Sequence, residues 1–156
     1  MIFNCFCKDN KLLKVFLEDN TDNNKSDFIN QEFNKCDKLK SKLNNFLNGD
    51  NVDFKENVDW NLLNLGDFQK KVLSETFKIP YGEVRTYKEI ADAIDSKAYR
   101  AVGTALNKNP IAIAIPCHRV IASNKLLSGF RLGGLKFKKK LLINEGHEIV
   151  KDKLIF

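Results

Sequence analysis

Pro116 is the residue that most limits how the middle of this chain can fold. It stands in Ile115-Pro116-Cys117-His118-Arg119-Val120, where it fixes its own φ and withholds a backbone donor. An apolar strand arriving from Ile111 therefore stops there, and Cys117 belongs at a strand end rather than inside a ladder. The thiol is placed to be presented. A buried free cysteine is more often a small hydrophobe than a reagent, so the Cys-His pair alone leaves a packing role and a chemical role both open. A cysteine with an ordinary pKa of ~8.5 attacks only as thiolate, and His118 has the chemistry of its activating base. Adjacent strand residues point to opposite faces, so the two would act in direct contact or through a bridging water.

The flanking segments are well punctuated. Asp67 is expected to cap a helix whose buried stripe is Phe68, Val72, Leu73 and Phe77, with Pro80 marking its exit and Tyr81-Gly82 making a turn. Thr86-Tyr87-Lys88-Glu89 has the spacing of a capping box, so a short helix carrying Ile90, Ala91 and Ile94 starts there. Asp95-Ser96 breaks it, and a second helix with Ala98, Ala101, Val102, Ala105 and Leu106 ends over residues 107–110. Two short helices about a tight break form either a helix-turn-helix or a plain helical hairpin. The second is small on one face, at Ala98, Ala101, Gly103 and Ala105, which lets a backbone approach something closely. Residues 111–115 alternate strictly and read as a strand, and residues 122–132 as a loop. In the next helix Leu135, Leu141 and Leu142 form the apolar side. Lys136, Lys138, Lys139 and Lys140 form a basic side, either a solvated face or a contact for phosphates.

The first sixty residues say less. Residues 1–7 and Leu12-Leu13-Lys14-Val15-Phe16-Leu17, joined across Lys8-Asp9-Asn10-Lys11, read as a β-hairpin, followed by a polar loop over residues 19–27. Phe28 or Ile29, Phe33, Cys36, Leu39, Leu43 and Phe46 or Leu47 then recur at helical spacing, with Gly49 in the position of a C-terminal glycine. The expected division is an N-terminal α/β unit over residues 1–62 and a second domain over residues 63–156. Cys5, Cys7, Cys36 and Cys117 form no even, loop-stapling framework, which predicts free thiols in a reducing, intracellular setting. Cys5 and Cys7 alternate as core residues of a strand. A zinc site built on them and Cys36 lacks a fourth ligand, since the histidines are His118 and His147, so no metal is expected. Neither a phosphate loop nor a dinucleotide fingerprint is present, and no cofactor is expected. No apolar run approaches the roughly 20 residues of a membrane span, and the start lacks a secretory signal. A net charge of +6 suits an anionic partner without requiring one.

Tyr81 to Tyr87, Arg100-Ala101-Val102-Gly103, Asn109-Pro110, the Pro-Cys-His-Arg-Val run, Gly129-Phe130-Arg131 and Glu145-Gly146 follow one another in an order that resembles the O6-alkylguanine-DNA alkyltransferases. The resemblance covers roughly residues 68–146. It implies an α+β fold, with a small N-terminal ribonuclease-H-like scaffold domain followed by a mainly helical, winged-helix-like domain containing the helix-turn-helix. It also implies an activity: stoichiometric, irreversible transfer of an alkyl group from O6-alkylguanine, and from O4-alkylthymine, in DNA to Cys117. His118 and Glu145 would form the activating relay, Tyr87 would hydrogen-bond guanine N3, and Asn109 would tie the recognition helix to the active-site turn. Arg100 would occupy the space left by a flipped base, with Thr86, Ala101, Gly103 and Ser123 at the DNA. The Cys117 and Val120 carbonyls, Phe130 and Arg131 would surround the substrate base. The implied partner is double-stranded DNA, bound in the minor groove by a cytoplasmic monomer with no membrane attachment. The sequence departs from the family pattern at Tyr99, usually small, at Phe130, usually tyrosine, and in a loop one residue longer through Gly134. A non-transferring relative would lack the cysteine, a cysteine hydrolase would need an oxyanion hole, and a transcriptional regulator would carry a longer, more polar recognition helix.

Overall fold

The computed structural model describes residues 3–17 and 36–155. It opens on the antiparallel hairpin that the apolar runs predict, β1 (Phe3–Lys8) paired with β2 (Lys11–Leu17). Asp9 and Asn10 at its tip take φ of 49° and 63°, the left-handed backbone of a two-residue turn whose twist matches the strands. Phe3, Cys5 and Cys7 all face inward. Helix α1 (Asp37–Leu47) packs on β1 and buries Leu39, Leu43, Phe46 and Leu47, and Gly49 at φ 102° follows its end. Phe28, Ile29 and Phe33, assigned by spacing to the same helix, and the loop over residues 19–27 lie outside the described residues. Cys36 is not on the helix face: it immediately precedes α1 and forms a disulfide with Cys7. The expectation of free N-terminal thiols is thereby corrected. A pairing across 29 residues depends on β1 aiming Cys7 at the start of α1, and spacing alone carries no signal of that.

Three helices carry the second half, α2 (Asp67–Phe77), α3 (Tyr87–Ala93) and α4 (Tyr99–Asn107), each packed on the other two. Gly66, not Asp67, caps α2. Asp67 is its first residue, where a negative charge still favours the helix start. Phe68 leaves the expected stripe at 37% exposure, and Thr76 joins Val72 and Leu73 inside. Its hydroxyl donates to the Val72 carbonyl at 2.8 Å, so burial leaves no polar group unpaired. The capping box of α3 is present as expected: Glu89 N donates to Thr86 Oγ1 at 3.1 Å and Thr86 N to Glu89 Oε2 at 2.6 Å. Thr86→Ala is expected to lower stability by about 1 kcal/mol, read as a lower denaturation midpoint with an unchanged slope. Asp95, at φ 55°, makes the break before α4.

Residues 111–115 do not form the expected strand. All five are buried, the backbone folds back so that Ile115 N donates to Ile111 O at 3.0 Å, and Ile113 sits at φ 77°. Alternation signals a strand only when one face is wet, and here both faces are interior. Asn109 holds the turn at both ends, its Oδ1 accepting from Ile111 N at 3.1 Å and its Nδ2 donating to Ile115 O at 2.9 Å. Cys117 accordingly opens a 3₁₀ turn, Cys117–Arg119, rather than ending a strand. Beyond it β4 (Val120–Ile121) pairs in parallel with β3 (Arg85–Thr86), then come α5 (Gly134–Asn144) and a hairpin of β5 (Glu148–Val150) and β6 (Lys153–Ile155).

The two halves share one hydrophobic core, through which Phe3, Leu43, Val72, Val102, Ile115 and Leu141 are continuous. Val15 N donates to Pro110 O at 2.9 Å, so the hairpin steadies the chain next to Asn109. The Tyr81 hydroxyl lies 2.9 Å from the carbonyls of both Gly49 and Asn144. Gly133, at φ 80° before α5, has no room for a side chain, since a Cβ would meet Phe137 Cβ at 2.9 Å and Leu17 Cδ1 at 3.0 Å. No described helix is long and apolar enough to cross a membrane.

Candidate active site

Cys117 lies on the wall of a cleft, 8% exposed, with Tyr87, Gly103, Asn109, Phe130 and Arg131 on the same lining. Three separate stretches supply these residues: the start of α3, the end of α4 with its following turn, and the loop before α5. The cleft also reaches β2, through Val15 and Leu17. Tyr87 Oη is 2.8 Å from Ser128 Oγ, which tethers the tyrosine to that loop.

Behind the cysteine is a buried polar network. His118 is completely buried, and its Nε2 lies 2.7 Å from Glu145 Oε1. Glu145, just past the end of α5, also receives Arg119 Nε at 3.0 and 2.9 Å on its two oxygens and Gly82 N at 3.1 Å. Gly82 is at φ 80°, a turn backbone that brings its N–H to the carboxylate. Arg119 Nη1 donates to the Ile79 carbonyl at 2.7 Å. Burial pushes the Glu145 carboxyl up, but the hydrogen bonds and charges of His118 and Arg119 outweigh it and hold the group at about 2. Burial lowers His118 below the usual histidine range, against the pull of Glu145. The resting pair is therefore carboxylate and neutral imidazole. A carboxylate can only accept, so the ring proton is on Nε2, and Nδ1, which has no described hydrogen-bond partner, presents a lone pair. That is the tautomer of a base.

The thiol of Cys117 is raised by burial, with the Asn109 amide and the positive charge of Lys138 the foremost opposing influences. Lys138 departs from both readings of the basic side of α5, a solvated face or a contact for phosphates. It is 1% exposed and donates from Nζ to the Val120 carbonyl at 2.7 Å. Its position three and four residues before Leu141 and Leu142 puts it on the apolar stripe, a spacing that the surrounding lysines concealed. Arg119 is a second site residue that the motif's spacing does not single out, because its carboxylate partner Glu145 lies 26 positions along the chain.

The remaining expected residues are not in the cleft. Val120 is fully buried, while Arg100, Ala101 and Ser123 are exposed and Thr86 is half-buried at the head of α3. Arg100 and Ala101 share the outer side of α4 with Thr104, and Gly103 has open space where a Cβ would stand. Among the described residues no cluster of three or more histidine, cysteine or acidic side chains could hold a metal.

The protein is thus a mixed helix-and-strand fold in which a cleft-lining cysteine is followed by a buried histidine paired to a buried carboxylate. The family model of the 6-O-methylguanine DNA methyltransferase DNA binding domain matches residues 67–147, more than half of the chain. The methylated-DNA–protein-cysteine methyltransferase of Sulfurisphaera tokodaii is 46% identical over 110 residues, covering 70% of this chain and 67% of that protein. The OGT protein of Mycobacterium tuberculosis, solved in complex with DNA, superposes with a TM-score of 0.63 at 43% identity, over 69% of this chain and 64% of that one. A variant of the M. tuberculosis O6-methylguanine methyltransferase matches over 97% of this chain and 96% of its own, with a TM-score of 0.74 and 31% identity. The chain belongs to the methylated-DNA–protein-cysteine methyltransferase family. It spans about two thirds of the length of the first two of these relatives.

Proposed function

We propose that this protein repairs alkylated DNA by direct reversal, transferring the alkyl group of O6-alkylguanine, and of O4-alkylthymine, irreversibly to Cys117. The observation that carries the reading is the Cys117, His118 and Glu145 arrangement, a thiol on a cleft wall backed by a neutral imidazole in the accepting tautomer. The Cys117 proton passes through water to His118 Nδ1, and Glu145 stabilises the imidazolium. The thiolate attacks the alkyl carbon, the carbon–O6 bond breaks, and its electrons remain on the guanine. Tyr87, donating to N3, lets the base leave neutral, and the proton on His118 restores the tyrosine. In sum, the thiol hydrogen ends on guanine and the alkyl group on sulfur.

A base stacked in a duplex cannot reach such a cleft, so the target nucleotide is flipped out. Arg100 fills the gap, and the small outer side of α4, with Ala101 and Gly103, approaches the minor groove. Thr86 and Ser123 contact the backbone. The Cys117 and Val120 carbonyls read the exocyclic amine, with Phe130 as an aromatic wall and Arg131 near O6. In this reading residues 1–62 are a ribonuclease-H-like scaffold and residues 63–156 a winged-helix-like reaction domain. The protein acts as a cytoplasmic monomer and needs no cofactor.

The test is the intact mass of the protein after mixing with duplex DNA bearing one O6-methylguanine. One added methyl per molecule, complete at one equivalent of DNA and unchanged by excess, is expected. Turnover beyond one equivalent, or binding without mass gain, overturns the proposal.

A further inference from the structure

The carboxylate that faces His118 is held where two helices end. A helix leaves its last carbonyls without partners of its own, so each end must find donors elsewhere. Helix α5 ends at Asn144, one residue before Glu145, and α1 ends at Leu47. The two ends satisfy one another: Asn144 Nδ2 donates to the Leu47 carbonyl at 2.9 Å, and the Tyr81 hydroxyl reaches the carbonyls of both Asn144 and Gly49 at 2.9 Å. A phenol has one proton, so the two carbonyls share it. Tyr81 meets the relay on other sides as well. Gly82, next in the chain, donates its N–H to Glu145, and the Arg119 guanidinium that pairs with Glu145 lies over the Tyr81 ring, 5.7 Å from its centroid. From α1, Phe46 sets its ring 6.1 Å from that of Tyr81 and 5.7 Å from that of His118, edge to face with both.

We propose that Tyr81 is a positioning residue for the transfer reaction, its hydroxyl clasping the end of α5 to the end of α1 so that Glu145 stays within hydrogen-bond reach of His118. The inference rests on the alkyl-transfer reading of Cys117, His118 and Glu145. It adds a task for the N-terminal half, since α1 then forms one wall of the relay as well as part of a scaffold. Glu145 stands just past the end of α5, so its backbone is placed by the residue before it. Asn144 is fixed twice, by its side chain on Leu47 and by its carbonyl on Tyr81. The hydroxyl is suited to the task. Burial and the negative charge of Glu145 push it above the usual phenol range, so it remains a donor, and Tyr81 lies outside the cleft lining that holds Cys117. A small shift at Asn144 passes directly to the 2.7 Å contact between Glu145 Oε1 and His118 Nε2. With that contact goes the tautomer that leaves Nδ1 open to the Cys117 proton.

The experiment compares wild type with Tyr81→Phe, which removes the hydroxyl and keeps the ring under Arg119, and with Asn144→Ala, which cuts the side-chain bond to Leu47. Ring nitrogens are followed by NMR in protein labelled with 15N-histidine. The histidines are His118 and His147, so the spectrum is simple, and His147→Gln assigns it. Wild type is expected to show a neutral His118 ring with its proton on Nε2 and slow to exchange with water. In Tyr81→Phe that proton should exchange faster, and a share of rings should carry it on Nδ1. Single-turnover methyl transfer from a lesion-bearing duplex should slow roughly three- to tenfold, the worth of one hydrogen bond, while duplex affinity stays at the wild-type value. Asn144→Ala should change the ring signals in the same direction, and the double variant should lose less than the product of the two single losses, because both bonds act through one residue. Should the melting curve show Tyr81→Phe unfolded, Asn144→Ala carries the comparison. Wild-type ring signals and transfer rate in a folded Tyr81→Phe sink the proposal, as does a slower rate explained wholly by weaker DNA binding. The ring spectrum needs no DNA, so absence of methyl transfer in wild type overturns the repair reading while the clasp is still read from His118.

Discussion

Cys117→Ala is expected to abolish methyl transfer completely, with no mass gain after long incubation with excess lesion DNA, while duplex binding persists within a few-fold of wild type. The two effects separate because the exposed candidate DNA contacts, Arg100, Ala101 and Ser123, lie on α4 and the loop after β4, outside the cleft lining that holds the sulfur. Removing one buried sulfur costs little packing, on the order of 1 kcal/mol, so the variant should fold. Cys117→Ser is the sharper comparison. It keeps the shape, but a hydroxyl is not ionised by a neutral imidazole and attacks an alkyl carbon poorly, so transfer should again be undetectable. Electrophoretic mobility shift and intact mass on the same samples decide it. Methylation retained in Cys117→Ala would move the acceptor to another residue and remove the basis of the proposed mechanism.

How much of this could be seen in the sequence depends on how local the governing interaction is. The hairpin tip at Asp9-Asn10, the capping box at Thr86 and Glu89 and the break at Asp95 are set within four residues, and each forms as expected. The relay partners were visible through a family resemblance, not through periodicity, because 26 residues separate His118 and Arg119 from Glu145 at their nearest. Three features required the tertiary structure. Residues 111–115 alternate like a strand, yet Asn109 bonds both ends and the whole stretch is interior, so no ladder forms. Cys36 pairs with Cys7 because a helix start and a strand end meet. Lys138 sits in a run of lysines, and only its burial and its hydrogen bond to the carbonyl of Val120 distinguish it from its more exposed neighbours.

These misses have a common physical origin. Propensity and periodicity report how a residue meets water or its own helix, while a polar group inside a core answers to partners far along the chain. Among the described residues the buried polar ones are Asn57, Thr76, Asn109, His118, Arg119, Lys138 and Glu145. Four of them, His118, Arg119, Glu145 and Lys138, are charged or chargeable and gather around one cysteine. Such a concentration costs stability through desolvation and returns it only while every partner is present.

Glu145 is therefore where a single change should have the largest effect on the fold. Glu145→Ala strands the Arg119 guanidinium, the His118 ring and the Gly82 N–H together, which should cost about 3–5 kcal/mol and lower the melting temperature by roughly 10 °C. Glu145→Gln separates stability from chemistry. Its amide oxygen still accepts from Arg119, but its NH2 group can only donate to His118 Nε2, which forces the ring proton onto Nδ1. The imidazole then has no lone pair for the Cys117 proton, and transfer at neutral pH should fall roughly 10²–10⁴-fold with a smaller stability loss than alanine causes. The pH dependence has a definite sign. Glu145 is held at about 2 in the fold against an ordinary 4.5, so between those values the unfolded chain binds the extra proton. The stabilisation is complete above pH 4.5 and disappears as pH falls towards 2. Denaturation of wild type and Glu145→Gln across that window should show the gap between them closing as acid is added. A gap that stays constant from neutral pH to pH 2 would mean that the Glu145 charge contributes nothing to the fold.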